Sequence, residues 1–299
     1  MPELPEVETL ARDLRAAVLG RTVTEASVAP DAPRLVQSMP VETFTSGLRG
    51  RRIEGVSRRG KYLIVELDRG LSWLVHRRMS GNFIHRPADA PDEPYIRARF
   101  RLDDATELRF LDLRKFGTMW LTDDLRPILA GLGPEPLDGA FTADVLAASL
   151  GKRSAPVKAV LMDQKVIAGI GNLYADEALH YAGVHPLRPA QSLTKKEVSA
   201  VRDGIVRALE QGLANLGSSV GAAAGEEVSL RDHVNLDGEP GSNQEYLVAY
   251  GREGRPCRTC GTPIERLKVG QRSAHICPRC QPRAKRGRRK AKPRKASST

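Results

Sequence analysis

The segment CRTCGTPIERLKVGQRSAHICPRC (257–280) decides how the chain is read. Its two Cys-x-x-Cys pairs are separated by 16 residues. That spacing places the thiolates of Cys257, Cys260, Cys277 and Cys280 around one tetrahedral Zn²⁺. Four protein ligands close the coordination sphere, so the metal is expected to be structural. A redox role is the rival reading, but the chain has two pairs and no thioredoxin-like βαβ pattern. Between the pairs, residues 264–276 read as a β-hairpin with Gly270 and Gln271 near its tip. Arg272 then projects from a metal-clamped turn. An isolated exposed Arg usually does nothing, but a basic tip on a zinc hairpin suits a phosphate.

Outside this unit the chain has no Cys, which excludes a disulfide framework and points to a cytoplasmic setting. The net charge of +11 is unevenly placed. Residues 283–299, RAKRGRRKAKPRKASST, hold 9 Lys and Arg and no acid, leaving 38 basic against 36 acidic residues elsewhere. The tail reads as a disordered polycation for solubility or nucleic-acid affinity. No run is long and apolar enough to span a bilayer, and the acidic N-terminus lacks a secretory signal. Aromatic content of 5% argues for aliphatic cores.

Working back from the hairpin, residues 142–216 read as helices. The clearest is 195–216, with a capping box at Thr194 and Glu197 and an apolar stripe of Val198, Val201, Ile205, Leu209, Leu213 and Leu216. GSSVGAAAGEE (217–227) reads as a loop. GLGPEPLDG (131–139) is Gly/Pro-rich and marks a domain boundary. Residues 21–121 are mostly β, with alternation in KYLIVEL (61–67) and RARFRL (97–102) and short strands at 71–76 and 118–121, for which a sandwich or barrel is the natural solution. Residues 5–20 form an N-terminal helix, with Pro5, Glu6 and Glu8 suited to its start. The fold class is α+β and multidomain, with limits at 1–133, 140–249, 250–282 and a tail at 283–299.

Three further stretches carry chemistry. VIAGIGNLYADEAL (166–179) runs a Gly-rich turn into a helix, whose amides and Asn172 either bind a phosphate or make a tight helix–helix connection. DLRKFG (112–117) and HRRMSG (76–81) each set a bulky side chain, Phe116 or Met79, beside Arg and Gly. Either alone reads as packing; together in a basic protein they suit wedges entering a base stack. In MPELPEVETL (1–10), Pro2 becomes the N-terminus once Met1 is removed. An α-amine titrates near ~8, so part of it is a free nucleophile at neutral pH. A secondary amine attacking an aldehyde-level carbon gives an iminium directly, and Glu3 is placed to act as general acid or base.

PELPEVE (2–8), RRGKYL (58–63), DLRKFG, DQKVIAGIGNLYADEAL (163–179) and the four-Cys hairpin with GQR (270–272) together resemble the bacterial formamidopyrimidine-DNA glycosylase family, over residues 1 to about 282. The resemblance implies an N-terminal β-sandwich, a helix-two-turn-helix domain and a zinc hairpin, with damaged double-stranded DNA between the lobes. It implies a monomer with one structural Zn²⁺ and no small-molecule cofactor. The implied activity is excision of oxidised purines, 8-oxoguanine and formamidopyrimidines, followed by strand cleavage through β,δ-elimination. Pro2 then matches the nucleophile at C1′, Glu3 the acid that assists sugar opening and Glu6 a carboxylate at the helix start. Lys61 matches the proton donor for β-elimination, and Arg272 the residue that serves the δ step. Met79, Arg114 and Phe116 match the gap fillers. Lys158 and Asn172 match phosphate contacts, Arg153 stands where the family has a DNA-binding Lys, and His76 opens the family's His-Leu-x-Met pattern.

The chain departs from that pattern at Arg77, which replaces the Leu and shares the face of Val75. A buried Arg there requires a carboxylate partner or a local rearrangement. Glu93–Tyr95 stands where the family often has His residues, segment 217–227 is longer than usual, and the basic tail is an addition. Two rival readings are a related glycosylase for oxidised pyrimidines and a non-catalytic DNA-binding zinc protein.

Overall fold

The computed structural model describes residues 1–219 and 233–283, so most of the loop at 217–227 and nearly all of the 283–299 tail lie outside the described residues. Helix α1 (Leu4–Val18) opens the chain with Glu3 as its N-cap, and the Glu6 carboxylate accepts the Glu3 N–H at 2.8 Å. The strands that follow are β1 (Val23–Val28), β2 (Ile53–Arg59), β3 (Tyr62–Leu67), β4 (Ser72–His76), β5 (Asn82–Pro87), β6 (Ile96–Leu102), β7 (Thr106–Leu111) and β8 (Thr118–Thr122), with α2 (Val41–Leu48) between the first two. They form two four-stranded antiparallel sheets, in the orders β1-β6-β7-β5 and β2-β3-β4-β8. The expected sandwich is therefore present.

The sandwich core takes Val7, Leu10, Leu14 and Val18 from one face of α1, and Leu63, Val65 and Leu67 from β3. Each such side chain contributes ~1.5–3 kcal/mol through burial. The cores are mostly aliphatic, as expected, with one aromatic cluster added in the sandwich. Trp73, Phe83, Phe100 and Phe110 stack in succession, with Trp73 and Phe100 centroids 4.3 Å apart and Phe83 and Phe110 5.0 Å apart. The aromatic residues are few, but they are concentrated between the sheets.

The helical part consists of a short α3 (Arg126–Leu129), then α4 (Ala143–Leu150), α5 (Val157–Leu161), α6 (Asn172–Tyr181) and α7 (Lys195–Ala214). The capping box on α7 forms, with Thr194 N–H on Glu197 at 2.8 Å and Glu197 N–H on Thr194 Oγ1 at 3.3 Å. Val198, Val201, Ile205 and Leu209 are buried against α6 and its neighbours. Leu216 does not extend the stripe: it lies past the helix end at φ 57° and is 54% exposed. The two cores exchange residues. Leu4 packs in the helical core and Leu236 in the sandwich core.

The last unit is the hairpin of β9 (Glu265–Val269) and β10 (Arg272–Ile276), turning at Gly270 and Gln271 as the sequence predicts. All four Cys Sγ atoms lie within 4.8 Å of one another, with Cys260–Cys277 at 3.4 Å and Cys257–Cys280 at 3.9 Å. A tetrahedral ion with Zn–S near 2.3 Å needs sulfurs about 3.8 Å apart. Backbone N–H groups of Thr259 and Cys280 point at the Cys257 and Cys277 sulfurs, each at 3.4 Å, which favours thiolates. The cluster fits one structural Zn²⁺. The small core of this unit is little more than Ile264 and the cysteines, so metal ligation supplies its stability. Chelation is expected to abolish hydrogen-exchange protection of the β10 amides at Ala274 and Ile276 while β3 stays protected. Protection of β10 that survives complete zinc loss would contradict this.

Candidate active site and nucleic-acid interface

Residues 2–6 are buried where the sandwich meets the helical part. The Glu3 carboxylate does not point to solvent. It accepts N–H groups from Gly171 at 2.5 Å, Leu173 at 3.0 Å and Tyr174 at 3.4 Å. The Gly-rich turn at 169–171 thus holds an anion at a helix N-terminus, as its sequence suggests, but the anion is the protein's own Glu3 rather than a phosphate. Leu4 N–H donates to the Gly169 carbonyl at 3.0 Å, so the two segments meet along their backbones. Burial pushes the Glu3 carboxyl above its usual range, against the pull of Lys61. A carboxyl raised in this way holds a proton more readily than a free glutamic acid, as a general acid requires.

Glu6 extends the same junction. Its carboxylate accepts the Tyr174 hydroxyl at 2.7 Å and Ser218 N–H at 2.9 Å. Tyr174 sits within the 163–179 motif, yet nothing in the sequence pairs it with residue 6.

Lys61 enters from the β2–β3 turn and is buried beside this carboxylate pair. Burial lowers the pKa of its ammonium, and Glu3 and Glu6 oppose the shift. Gly171 makes room for the convergence: a Cβ there would stand 2.5 Å from the Glu3 carboxyl carbon and 2.6 Å from Lys61 Nζ. The turn carrying Lys61 is held by Glu135, which accepts from Arg58 at 2.8 Å, Arg59 at 2.7 Å and Gly60 N–H at 2.5 Å. Glu135 lies in the Gly/Pro-rich stretch that reads only as a boundary. Its three partners are some 75 residues away.

The zinc hairpin closes the other side. Arg272 is exposed and close enough to Lys61 for their charges to interact. With Asn172, Tyr250, Arg266 and Lys268 it lines an open cleft of about 740 Å³. Asn172 faces the Tyr250 hydroxyl, and its Oδ1 is buried with no hydrogen-bond partner among the described residues. Lys158 lies deeper than a surface cation. It is 0% exposed, pairs with Asp176 at 2.7 Å and donates to the Ser273 carbonyl at 2.5 Å. Asp176 also accepts the His275 N–H at 3.0 Å. Lys158 and Asp176 therefore bolt the hairpin to α6. Arg153 is exposed and caps the end of α4, donating to the Ser149 carbonyl at 2.6 Å.

On the sandwich side, the loops carrying Met79 and Phe116 form one platform. Asp112, buried at its root, accepts from Ser80 Oγ at 2.5 Å, Arg114 N–H at 3.1 Å and Gly117 N–H at 2.7 Å. In each loop a basic residue in the left-handed region, Arg78 at φ 56° or Lys115 at φ 57°, precedes the bulky one. Non-glycine residues rarely hold that conformation, and its presence at matching positions of both loops marks them as specially shaped. Met79 is 37% and Phe116 49% exposed, with the Arg114 guanidinium 4.8 Å from the Phe116 ring centroid. His76 is buried behind them, edge-on to Tyr62, and burial depresses its pKa to about 3, so the ring is neutral. Its Nδ1 accepts the Arg78 N–H at 3.0 Å.

Arg77 is buried, as its strand position predicts, but its direct partner is not a carboxylate. Nε donates to the Gly81 carbonyl at 2.7 Å, Nη1 to the Glu6 carbonyl at 3.1 Å, and both Nη atoms lie 3.2 Å from His233 Nδ1. Arg has no acceptor, so His233 presents the Nδ1 lone pair. Three neutral acceptors, the Gly81 and Glu6 carbonyls and His233 Nδ1, thus hold the guanidinium.

Three family descriptions match the chain in order: Formamidopyrimidine-DNA glycosylase N-terminal domain over residues 1–119, Formamidopyrimidine-DNA glycosylase H2TH domain over 132–223, and Zinc finger found in FPG and IleRS over 254–283. A curated relative, the formamidopyrimidine-DNA glycosylase of Moorella thermoacetica, is 46% identical over 272 residues, covering 90% of this chain and 95% of the relative. Two solved structures of the Lactococcus lactis protein, one with abasic-site DNA and one with Fapy-dG-containing DNA, are each 33% identical. Both cover 94% of this chain and 100% of their own, with TM-scores of 0.85 and 0.84. By motif order, geometry and descent alike, the chain belongs to the formamidopyrimidine-DNA glycosylase family.

Proposed function

We propose that this protein is a base-excision-repair DNA glycosylase and AP lyase, acting as a cytoplasmic monomer on oxidised purines in duplex DNA. The observation that carries this reading is the convergence of the buried N-terminal segment, Glu3 and Lys61 at Gly171, beside an open cleft lined by cations. That the relatives include a complex with abasic-site DNA and one with Fapy-dG supports the substrate class.

Removal of Met1 frees the Pro2 nitrogen, which is an amide while Met1 is attached. The secondary amine attacks C1′, and Glu3, raised by burial, delivers the proton that opens the sugar as the base leaves. The resulting iminium draws electrons from C2′. Once the C2′ proton is lost, the C3′–O bond breaks and the 3′ phosphate departs, with Lys61 as proton donor in that elimination. Arg272, at the mouth of the cleft, holds the 5′ phosphate and serves its departure. Glu6 fixes the helix that carries Pro2.

The flipped base leaves a gap that Met79, Arg114 and Phe116 fill from the platform rooted on Asp112. Neutral His76 supports that platform from behind. Asn172 offers a polar side chain to the phosphates, and Arg153 and Arg272 add salt-dependent grip. Lys158 contributes through the hairpin it anchors. A base preference for oxidised pyrimidines is the rival outcome of the same experiments.

Sodium borohydride is expected to trap the Met1-free protein covalently on duplex carrying 8-oxoguanine opposite cytosine. No adduct with a verified Pro2 terminus would sink the enzyme reading, and preferential trapping on an oxidised pyrimidine would reassign the lesion. Glu3→Gln is expected to lower base excision by roughly 10²–10⁴-fold, the usual worth of a positioned acid, and Pro2→Gly to weaken trapping. Gly171→Ala should cut trapping at least about tenfold by forcing Glu3 and Lys61 apart, with ~1–3 kcal/mol of overpacking. Wild-type trapping by Gly171→Ala would refute the proposed convergence.

A further inference from the structure

Arg77 belongs to none of the roles above, yet it is among the largest fully buried side chains of the protein. It leaves β4 where the Met79 loop begins. The loop closes on itself through Gly81 N–H on the Arg77 carbonyl at 3.0 Å, and the guanidinium returns underneath to the Gly81 carbonyl. From the same guanidinium, Nη1 reaches the Glu6 carbonyl in the first turn of α1. Both Nη atoms face His233 Nδ1, 156 residues further along the chain. His233 is itself anchored, because its carbonyl accepts the Ser219 hydroxyl, and Ser219 Oγ accepts Gly241 N–H at 3.1 Å. Next to Ser219, Ser218 N–H donates to the Glu6 carboxylate. One buried cation therefore touches the wedge loop, the helix that carries Pro2 and Glu3, and the segment on the far side of Glu6.

A charge placed this way is costly unless its geometry is fully satisfied. Burial lowers the Arg77 pKa only to about 10, with the Glu6 carboxylate opposing the shift, so it stays charged at neutral pH. His233 is held neutral by burial and by Arg77 itself, which keeps Nδ1 available as the acceptor. An apolar residue at position 77 would fill the space but would join none of the three segments.

We propose that Arg77 is a positioning residue that couples insertion of Met79 into the DNA to the reaction centre. It holds the wedge loop, the first turn of α1 and His233 in one register. This inference rests on the glycosylase reading. Coupling matters where a stacked base must be displaced and matters little where no base remains.

The test measures excision of 8-oxoguanine opposite cytosine and strand cleavage at a pre-formed abasic site on the same duplex. Arg77→Leu and His233→Leu are each expected to slow excision about tenfold, as loss of a hydrogen-bonded charge does, while abasic-site cleavage stays within about twofold. His233→Gln, whose amide oxygen replaces Nδ1 as acceptor, should restore excision. Arg77→Leu combined with Met79→Ala should be no slower than the slower single variant, because both act on one event. Equal losses on both substrates, or multiplicative losses in the double variant, would overturn the proposal. If Arg77→Leu melts early, the His233→Leu and His233→Gln pair decides by the same two readouts. Wild-type protein inactive on both substrates would refute the glycosylase reading instead.

Discussion

The structure depends on one carboxylate bound by one helix end. Glu3 caps its own helix and, at the same time, occupies the N-terminus of α6, where unpaired N–H groups and the helix dipole favour a negative charge. Two requirements are met together. The orphan amides of a buried helix start are satisfied, and a carboxylate that would otherwise be costly to bury is held by three donors. Because Glu3 belongs to the segment packed on the sandwich and α6 to the helical core, the bond is also the joint between the two. Leu4 in the helical core and Glu6 on Tyr174 strengthen that joint from either side.

Other buried charges repeat the arrangement at lower density. Glu135 gathers Arg58, Arg59 and the Gly60 amide at the turn that presents Lys61. Asp176 gathers Lys158 and His275 beneath the hairpin that presents Arg272. Glu177, fully buried, accepts the N–H groups of Val248, Ala249 and Tyr250, which sets the Tyr250 wall of the cleft. Lys61, Arg272 and Tyr250 thus project from backbone pinned by a buried or part-buried acid. Buried pairs of this kind add little net stability but strongly penalise alternative geometries, as breaking one leaves an uncompensated charge.

What the sequence disclosed follows from the range of the interactions. The Cys spacing, the capping box on α7 and the helix start after Glu3 are local patterns, legible within a few residues. The strands with clean alternation, β3 and β6, were legible too. Strands β1, β2, β5 and β7 were not singled out. β7 does alternate over Glu107–Phe110, with Leu108 and Phe110 in the core and Glu107 and Arg109 paired at 2.7 Å on the opposite face, buried under the 90–93 loop. β2 contains Gly55 and an irregular register at Ile53–Gly55. What the sequence does not reveal is the pairing of site residues whose partners are distant in the chain. Glu3 meets Gly171 across 168 positions, and Arg77 meets His233 across 156. Lys158 shows the converse. A basic residue in a basic protein reads as a surface contact until its carboxylate partner, 18 positions on, is seen to bury it.

The same division bears on how the protein can grip DNA. With the tail set aside, Lys and Arg exceed Asp and Glu by only two, so a general positive field does not supply affinity. Many of the arginines are engaged in ion pairs on the sandwich, including Arg97 with Asp31 and Arg99 with Asp92 and Glu107. Arg114 stacks beside Phe116, and Arg266, Lys268 and Arg272 line the cleft, with Arg266 held by Glu253 at 3.7 Å. Positive charge thus stands at both the Phe116 loop and the hairpin cleft. Placement rather than total charge is what the fold controls here, since Asp112 fixes the backbone at Arg114 and Asp176 the hairpin that carries Arg272.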